Sequence, residues 1–304
     1  MNHKMKYREI KHLPIPFQIL ILLGKFLPRR LGLLIASLIG TVIGSLRHLP
    51  LIQAIRANQW VLHNQQLSKK ALNKSPRVVF RSAAKCFFDY FYFLSRPEKL
   101  EEIVRFSPEA EAAIKRIENN EPCVVVCPHL SNFELMGYAL AIHNVKVQVL
   151  SYPDPVTTYR WQNELRQRKG IIVTPMSLTA FRQARQRLRD GGSVLTGLDR
   201  PLEKDHHEKY QPHFFGHPSH LPVAYVRMAL EANVPVFVFA AAYLPDGKYC
   251  LEGSAPIWME PNAYLETEIL ENTHKVLQAA EEIISKYPQQ WAMFYPVWPQ
   301  FLGV

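Results

Sequence analysis

The stretch CVVVCPHLSNFELMGYALAIHN, residues 123–144, decides the fold because it joins two kinds of secondary structure without a spacer. A run of small and β-branched apolar residues ends at Pro128, which cannot donate a hydrogen bond to a neighbouring strand. The apolar spacing that follows is helical, and Ser131 with Glu134 has the S-x-x-E spacing of a helix capping box. The stretch therefore predicts a buried strand followed directly by a helix that begins at Ser131.

The same alternation continues towards the C-terminus. Strand patterns recur in VKVQVLS, GIIVTP, SVLTGLD, VPVFVFAAAY and KYCLEGS, with helical patterns between most of them and a long helix over YLETEILENTHKVLQAAEEIISKYP. Strands that alternate with helices form crossover units, which build parallel sheets covered by helices. We therefore expect an α/β fold with a mixed, mainly parallel central sheet flanked by helices. In such folds binding sites lie where strands end and loops begin.

The N-terminal part of the chain is strongly basic. Residues 1–88 hold 15 Lys and Arg residues and one acidic residue, a net charge of +14, whereas the remaining residues carry a net charge of −4 within a total of +10. Charge concentrated at one end favours an anionic partner there, either a membrane surface or nucleic acid. The four cysteines form no C-x-x-C pair, so a reducing, cytoplasmic environment is the default expectation.

Residues 16–52 favour the membrane over nucleic acid. They are strongly apolar and are interrupted by basic residues that suit lipid headgroups better than a base-reading groove. The uncharged run 31–46 would form a helix of about 24 Å, shorter than the roughly 30 Å hydrocarbon core of a bilayer. We rank an interfacial or membrane-embedded helical anchor first, a short tilted span second and a buried core helix third. The chain thus divides into a basic, helical, membrane-associating region over residues 1–106 and an α/β domain over residues 107–304.

His129 is the first candidate for chemistry. It follows Pro128 and should lie at the rim of the sheet, and Glu134 lies in the first turn of the next helix, from which its carboxylate can reach back. A carboxylate bonded to one imidazole nitrogen fixes the tautomer and leaves the other nitrogen free to accept a proton from a hydroxyl group. The alternative interpretation is a well-capped helix beside a histidine with no chemical role.

The segment HLSNFE, residues 129–134, matches the H-x4-D/E motif of the glycerolipid-type acyltransferases. Its surroundings resemble one branch of them, the lipid A biosynthesis acyltransferase family, which adds secondary acyl chains to lipid A precursors. The phosphatidylinositol mannoside acyltransferases of the same superfamily are similar at these places. The resemblance extends in order over RANQWVLHNQQLSKKAL, FFDYFYFL, LRQRKG, GLDRP, HFFGHPSHLPVAYVRMALEANVPVFVF and YPQQWAMFYPVW.

The resemblance implies a role for each matching residue. His129 would be the general base on the acceptor hydroxyl, and Glu134 would orient it. Arg166, in LRQRKG, would contact the donor or the acceptor, with Arg168 as a rival for that role.

Two later segments complete the implied site. In GLDRP, Asp199 with Arg200 would face the acceptor. In HFFG, Phe215 and Gly216 would form a turn beside the acyl pocket.

The resemblance also implies an activity. The chain would be a membrane-associated O-acyltransferase that moves a fatty acyl chain directly from an acyl thioester, acyl-ACP or acyl-CoA, to a hydroxyl of a glycolipid such as a lipid A precursor. No metal and no cofactor beyond the co-substrate is expected. The expected partners are an anionic membrane surface, the glycolipid acceptor and acyl carrier protein, at the cytoplasmic face of the inner membrane. The alternatives are a phosphatidylinositol mannoside or lysophospholipid acyltransferase and a non-catalytic membrane-binding protein.

Three other sites are considered and disfavoured. A histidine-rich loop suggests a metal site, but Pro212 and Pro218 interrupt the helix that would place His213 and His217 together. A serine hydrolase would need a G-x-S-x-G elbow, and nucleotide binding would need a glycine fingerprint, and the sequence has neither. The histidine-rich loop of the disfavoured metal site contains Asp205, His206, His207, His213, His217 and His220.

Overall fold

The computed structural model describes residues 15–142, 145, 147–153, 157–168, 171–202 and 210–304. In this part of the chain a seven-stranded sheet has the order β1-β9-β8-β2-β5-β3-β4, and every pairing is parallel except β8 with β9. The predicted mixed, mainly parallel sheet is confirmed. The strands are β1 Val104–Phe106, β2 Val124–Cys127, β3 Val147–Ser151, β4 Ile172–Pro175, β5 Ser193–Gly197, β8 Val236–Tyr243 and β9 Tyr249–Gly253, and a separate hairpin joins β6 His213–Phe214 to β7 His217–Pro218.

Helices cover both faces of the sheet. One apolar cluster includes residues of α4, α6, α7 and α8, and the cluster on the opposite face includes residues of α9, α10 and α11. The helices are α1 Ile15–Phe26, α2 Arg29–Ile43, α3 Pro50–Leu62, α4 Lys69–Leu94, α5 Leu100–Ile103, α6 Pro108–Glu118, α7 Phe133–Ile142, α8 Thr157–Arg168, α9 Leu178–Arg189, α10 Ala224–Ala232 and α11 Leu265–Lys286, with short 3-10 turns at Pro97–Lys99, Pro288–Gln290 and Pro299–Phe301.

The start of α7 differs from the predicted capping box. Ser131 adopts a left-handed backbone with φ of 48°, and its hydroxyl lies 3.4 Å from the thiol of Cys86 rather than on the helix. Asn132 caps α7 instead, because its side-chain oxygen accepts a hydrogen bond from the backbone N–H of Leu135 at 3.3 Å. The prediction that Ser131 and Glu134 form the capping box is therefore wrong by one position, and Glu134 is free to bind another partner.

The N-terminal helices pack through glycines. Gly32 and Gly40 of α2 face α4 so closely that a Cβ at either would lie within 2.5 Å of Phe88 or of the Phe80 backbone. The glycine-containing face of α2 thus packs against α4, and the large apolar residues of α2 point outwards. The exposed apolar residues of α1, α2 and the turn after it are Ile15, Ile19, Leu22, Phe26, Leu31, Leu34, Leu38, Ile39, Val42 and Leu46.

A partly buried ion pair fixes the start of α2. The guanidinium of Arg29 makes a two-pronged contact with the carboxylate of Asp89, at 2.9 and 2.8 Å, and Asp89 is fully buried in α4. Asp89 also accepts a hydrogen bond from the phenol of Tyr249 in β9 at 2.9 Å. The pair therefore joins the N-terminal helices to the sheet.

The N-terminal region contributes to the same core as the sheet. Val61 and Leu62 of α3 belong to the apolar cluster on the face of α9, α10 and α11. The boundary predicted at residue 106 falls at the end of β1, an edge strand of the sheet. Within the described ranges, no helix combines the length and the apolar character needed to cross a membrane.

Candidate active site

Strand register brings two predicted residues together. Cys127 at the end of β2 pairs with Gly197 at the end of β5, and the two strands are parallel neighbours. His129 and Asp199 each lie two residues beyond these ends, so they emerge side by side at the carboxyl edge of the sheet. A site at this edge is what the crossover topology predicts.

Asp199, rather than Glu134, holds the imidazole of His129. The Nδ1 atom of His129 lies 2.6 Å from Oδ1 of Asp199, and the backbone N–H of His129 donates to Oδ2 at 2.8 Å. Asp199 is fully buried, whereas the His129 side chain is 31% exposed. The role expected of Asp199, an acidic residue facing the acceptor, does not fit a carboxylate buried behind the histidine ring.

This contact determines the protonation of His129. Burial by itself lowers the pKa of the imidazole, but the charge and hydrogen bond of Asp199 raise it by more, so the pKa lies above the ordinary value of 6.5. With Nδ1 bonded to the carboxylate, Nε2 is the nitrogen that can accept a proton from a bound hydroxyl group. Phe133 packs edge-on against the ring, with centroids 5.0 Å apart, and limits its rotation.

The C-terminal segment, which is the part of the chain after α11, fixes the loop that carries His129. The indole N–H of Trp291 donates to Oδ2 of Asp199 at 2.8 Å, and the N–H of Ala292 donates to the backbone oxygen of His129 at 2.9 Å. Asn58 of α3 in turn donates to the carbonyl of Met293 at 3.1 Å. The sequence-based prediction missed Trp291, because nothing in the sequence spacing relates it to a residue 92 positions earlier.

Glu134 and Arg166 form a second pair beside the histidine. The guanidinium of Arg166, on α8, contacts the carboxylate of Glu134 and the side-chain oxygen of Asn163. Both partners of the ion pair are mostly buried and both line the same cavity as His129. The predicted contact from Glu134 to the imidazole of His129 is replaced by this ion pair. The side chain of the rival residue, Arg168, lies outside the described residues.

The cavity has a volume of about 490 Å³ and contains His129 in its wall. This size is typical of sites for small molecules or for part of a lipid. One part, which we name the α7 slot, lies between α7 and the sheet and is lined by Phe133, Met136, Gly137, Leu140, Val149, Leu195, Phe239, Ala241 and Leu251. The other part, the outer groove, is lined by Met176, Leu178, Phe181, Leu202, Pro222 and Ala224.

Arg200 lies in the cavity wall between two tyrosine rings. Its guanidinium carbon is 3.9 Å from the ring centroid of Tyr152 and 4.3 Å from that of Tyr295. Stacking holds the guanidinium plane in place and leaves its N–H groups at the edge. No hydrogen bond links this guanidinium to another residue in the described ranges. Arg200 therefore fits the predicted substrate-binding role, for which the two tyrosines give a support that the sequence did not reveal.

Phe215 and Gly216 lie away from the cavity wall. They form the turn of the β6–β7 hairpin, where both have positive φ, and Phe215 packs against Trp291 and Trp298. The predicted turn is therefore present, but it supports the C-terminal segment instead of lining an acyl pocket.

The histidine-rich loop gives no metal site in the part that is described. Among the described residues no three His, Cys, Asp or Glu side chains come together as metal ligands would. His213, His217 and His220 are described, and Asp205, His206 and His207 lie outside the described residues. All four cysteines are free thiols.

Comparison with known proteins identifies the family. The family model of the bacterial lipid A biosynthesis acyltransferases matches residues 65–300, from just before α4 to the 3-10 turn at Pro299–Phe301. A comparison with curated protein sequences finds no match. The matched region includes the His129–Asp199 pair, the Glu134–Arg166 pair and Trp291. Since the match spans most of the chain, the chain belongs to the bacterial lipid A biosynthesis acyltransferase family and is an acyltransferase.

Proposed function

We propose that the protein is a membrane-associated O-acyltransferase that moves a fatty acyl chain from an acyl thioester to a hydroxyl of a lipid A precursor, with His129 as general base. The observation that carries the proposal is the buried Asp199 carboxylate bonded to Nδ1 of a partly exposed His129 in the wall of an apolar cavity. A base with a fixed tautomer, next to space for an acyl chain, suits direct transfer to an alcohol.

The reaction proceeds in one displacement. Nε2 of His129 takes the proton of the acceptor hydroxyl as its oxygen attacks the thioester carbonyl. The carbon–sulfur bond then breaks, and the leaving sulfur receives the proton from the imidazolium. Asp199 stabilises the imidazolium during this cycle without taking the proton.

Arg200 supplies positive charge in the same cavity. Its guanidinium is held by Tyr152 and Tyr295, and its edge is available to a phosphate or to the developing oxyanion. Lipid A precursors and the carriers of acyl groups both contain phosphate, so this residue suits either substrate. Acyl-ACP and acyl-CoA are the two donors that we propose.

The outer face of the first two helices supports the proposed membrane association. Leu34, Leu38 and Val42 of α2 are exposed at helical spacing, and Lys25 and Arg30 are exposed near the turn between α1 and α2. An apolar stripe with flanking cations suits a helix that lies in the interface of an anionic membrane. We propose that the protein acts at the cytoplasmic face of the inner membrane.

The proposal is tested with purified protein, each donor in turn and a lipid A precursor in mixed micelles, with products identified by mass spectrometry. His129→Ala should reduce transfer by about 10²–10⁴-fold, the range typical of general-base catalysis. His274→Ala, at an exposed position on α11, serves as the control and should retain wild-type transfer.

The acceptors distinguish the related activities. Transfer by the wild type to the lipid A precursor, but not to phosphatidylinositol mannoside or lysophospholipid, supports the proposal. Preferential transfer to one of the latter two would identify that lipid as the acceptor instead. Undiminished transfer by His129→Ala would show that His129 is not the general base.

A further inference from the structure

We propose that Gly137 sets the length of the acyl chain that the enzyme transfers, because it keeps open the α7 slot that receives the chain. The inference rests on the proposed function and extends it to donor specificity. The juxtaposition that carries it is a mid-helix glycine facing an apolar space that begins at the catalytic histidine.

The α7 slot is an unusual gap in a packed layer. Helices on a sheet normally interdigitate with it, and protein interiors contain few voids larger than a water molecule. Leu195 lies in β5, between β2 and β3 in the middle of the sheet, yet it is only partly buried because its side faces this gap. A large apolar space at this position is therefore part of a binding site.

The slot leads away from His129 under α7. The helix connects the carboxyl end of β2 to the start of the parallel strand β3, so it runs back across the sheet from the catalytic edge. Phe133, Gly137 and Leu140 lie on one helical face, at intervals of four and three residues, and all three line the slot. Phe133 contacts the His129 ring, so Gly137 lies about one turn further in.

Gly137 is present for space and not for backbone geometry. It does not have the positive φ that requires glycine, and an added Cβ would meet no atom within 4 Å. Glycine is a poorer helix former than any residue except proline. Gly137 thus weakens the helix, although a residue with a Cβ would fit at this position without a clash. The remaining reason for a glycine here is the open space of the α7 slot.

The slot, rather than the outer groove, suits the donor chain. Its inner wall consists of buried residues, including Met136, Leu140 and Phe239, so a chain would end inside the protein. In the outer groove Leu178 is 80% exposed, which leaves room for a large lipid acceptor. A closed apolar end measures the length of a chain, whereas an open groove does not.

The test is a competition assay with a mixture of saturated acyl thioesters of increasing chain length and a single acceptor. Gly137→Ala and Gly137→Leu should transfer progressively shorter chains, with the ratio of long to short products falling about tenfold or more for each methylene excluded. Leu140→Ala, which enlarges the inner end, should shift the products towards longer chains. Gly137→Ala should melt at the wild-type temperature or above it.

Ala224→Val, in the outer groove, is the matched control. It should change the KM for the acceptor and leave the distribution of chain lengths unaltered. The proposal is overturned if folded Gly137→Leu loses transfer equally for every chain length, or if only its acceptor KM changes. Failure of the proposed function has a different signature, since the wild type itself would then transfer no acyl chain to the acceptor.

Discussion

Trp291 and Asp199 are joined by a hydrogen bond of 2.8 Å from the indole N–H to Oδ2, across 92 residues of sequence. The same carboxylate accepts the backbone N–H of His129 and contacts its Nδ1. The carboxylate is thus held on three sides, and a buried carboxylate held in this way can fix the orientation of the imidazole.

Replacing Asp199 by Asn should change both the rate and its pH dependence. In the wild type the acid limb of kcat/KM should lie above pH 6.5, because Asp199 raises the pKa of His129 and the base must be neutral to act. In Asp199→Asn burial and the charge of Arg200 lower that pKa, and only the smaller effect of Glu134 opposes them. The limb should therefore move to lower pH while the maximal rate falls about 10²-fold or more. An unchanged limb in the variant would show that Asp199 does not act on His129.

The Trp291 hydrogen bond can be separated from the packing of its ring. Trp291→Phe removes a bond worth about 1 kcal/mol and should lower kcat by about fivefold, if the loss appears in the transition state. Trp298 is the control, because its ring packs in the same cluster, 6.2 Å away, and its buried Nε1 has no hydrogen-bond partner within the described residues. Equal kinetic losses in Trp291→Phe and Trp298→Phe would attribute the effect to packing alone.

Glu134 should act together with Arg166 and not as the partner of His129. Glu134→Gln and Arg166→Gln should each lower kcat/KM, and the double variant should lose little more than either single one, with a coupling of about 0.5–3 kcal/mol. The acid limb should shift far less in Glu134→Gln than in Asp199→Asn. Additive losses, or a shift in Glu134→Gln as large as that in Asp199→Asn, would restore a direct role of Glu134 on the histidine.

The Arg29–Asp89 pair should be important for stability. Asp89→Asn leaves the partly buried guanidinium of Arg29 without its carboxylate, so the free energy of unfolding should fall by about 1–3 kcal/mol. Glu231→Gln breaks a partly exposed pair with Arg185 and should cost less than about 1 kcal/mol. Denaturant unfolding of both variants provides the comparison, and similar losses would show that burial of the first pair has no special effect.

The exposed face of α2 should bind lipid. Leu34→Ser and Leu38→Ser should each weaken flotation with anionic vesicles, by about 1.5–3 kcal/mol of partition free energy when the side chain is fully immersed. Thermal stability should change little, because both residues are exposed. Leu265→Ser, at an exposed position of α11, is the control and should bind vesicles as the wild type does. Wild-type binding by both α2 variants would exclude this face as the lipid contact.

The sequence predicted most of the elements because their signals are local. The strand before Pro128 and the helix after Ser177 depend on residues within a few positions, and Ser177 caps α9 by accepting the N–H of Ala180 at 3.0 Å. The capping box at Ser131 failed because Asn132, one residue later, offers an equally good acceptor. In the fold the Ser131 hydroxyl contacts the thiol of Cys86 and the Asn132 amide donates to the backbone oxygen of Cys86, and no local pattern predicts either contact.

The sequence by itself determined the α/β class, the position of His129 at the end of a strand and the concentration of positive charge before residue 89. Tertiary structure alone decided which acid serves that histidine. Glu134 is closer in sequence, but β2 and β5 pair in a register that places Asp199 beside the ring, and Arg166 engages Glu134 instead. The α7 slot likewise depends on the fold, because residues from several strands and one helix surround this empty volume. The sequence around Gly137 does not predict the empty space beside it.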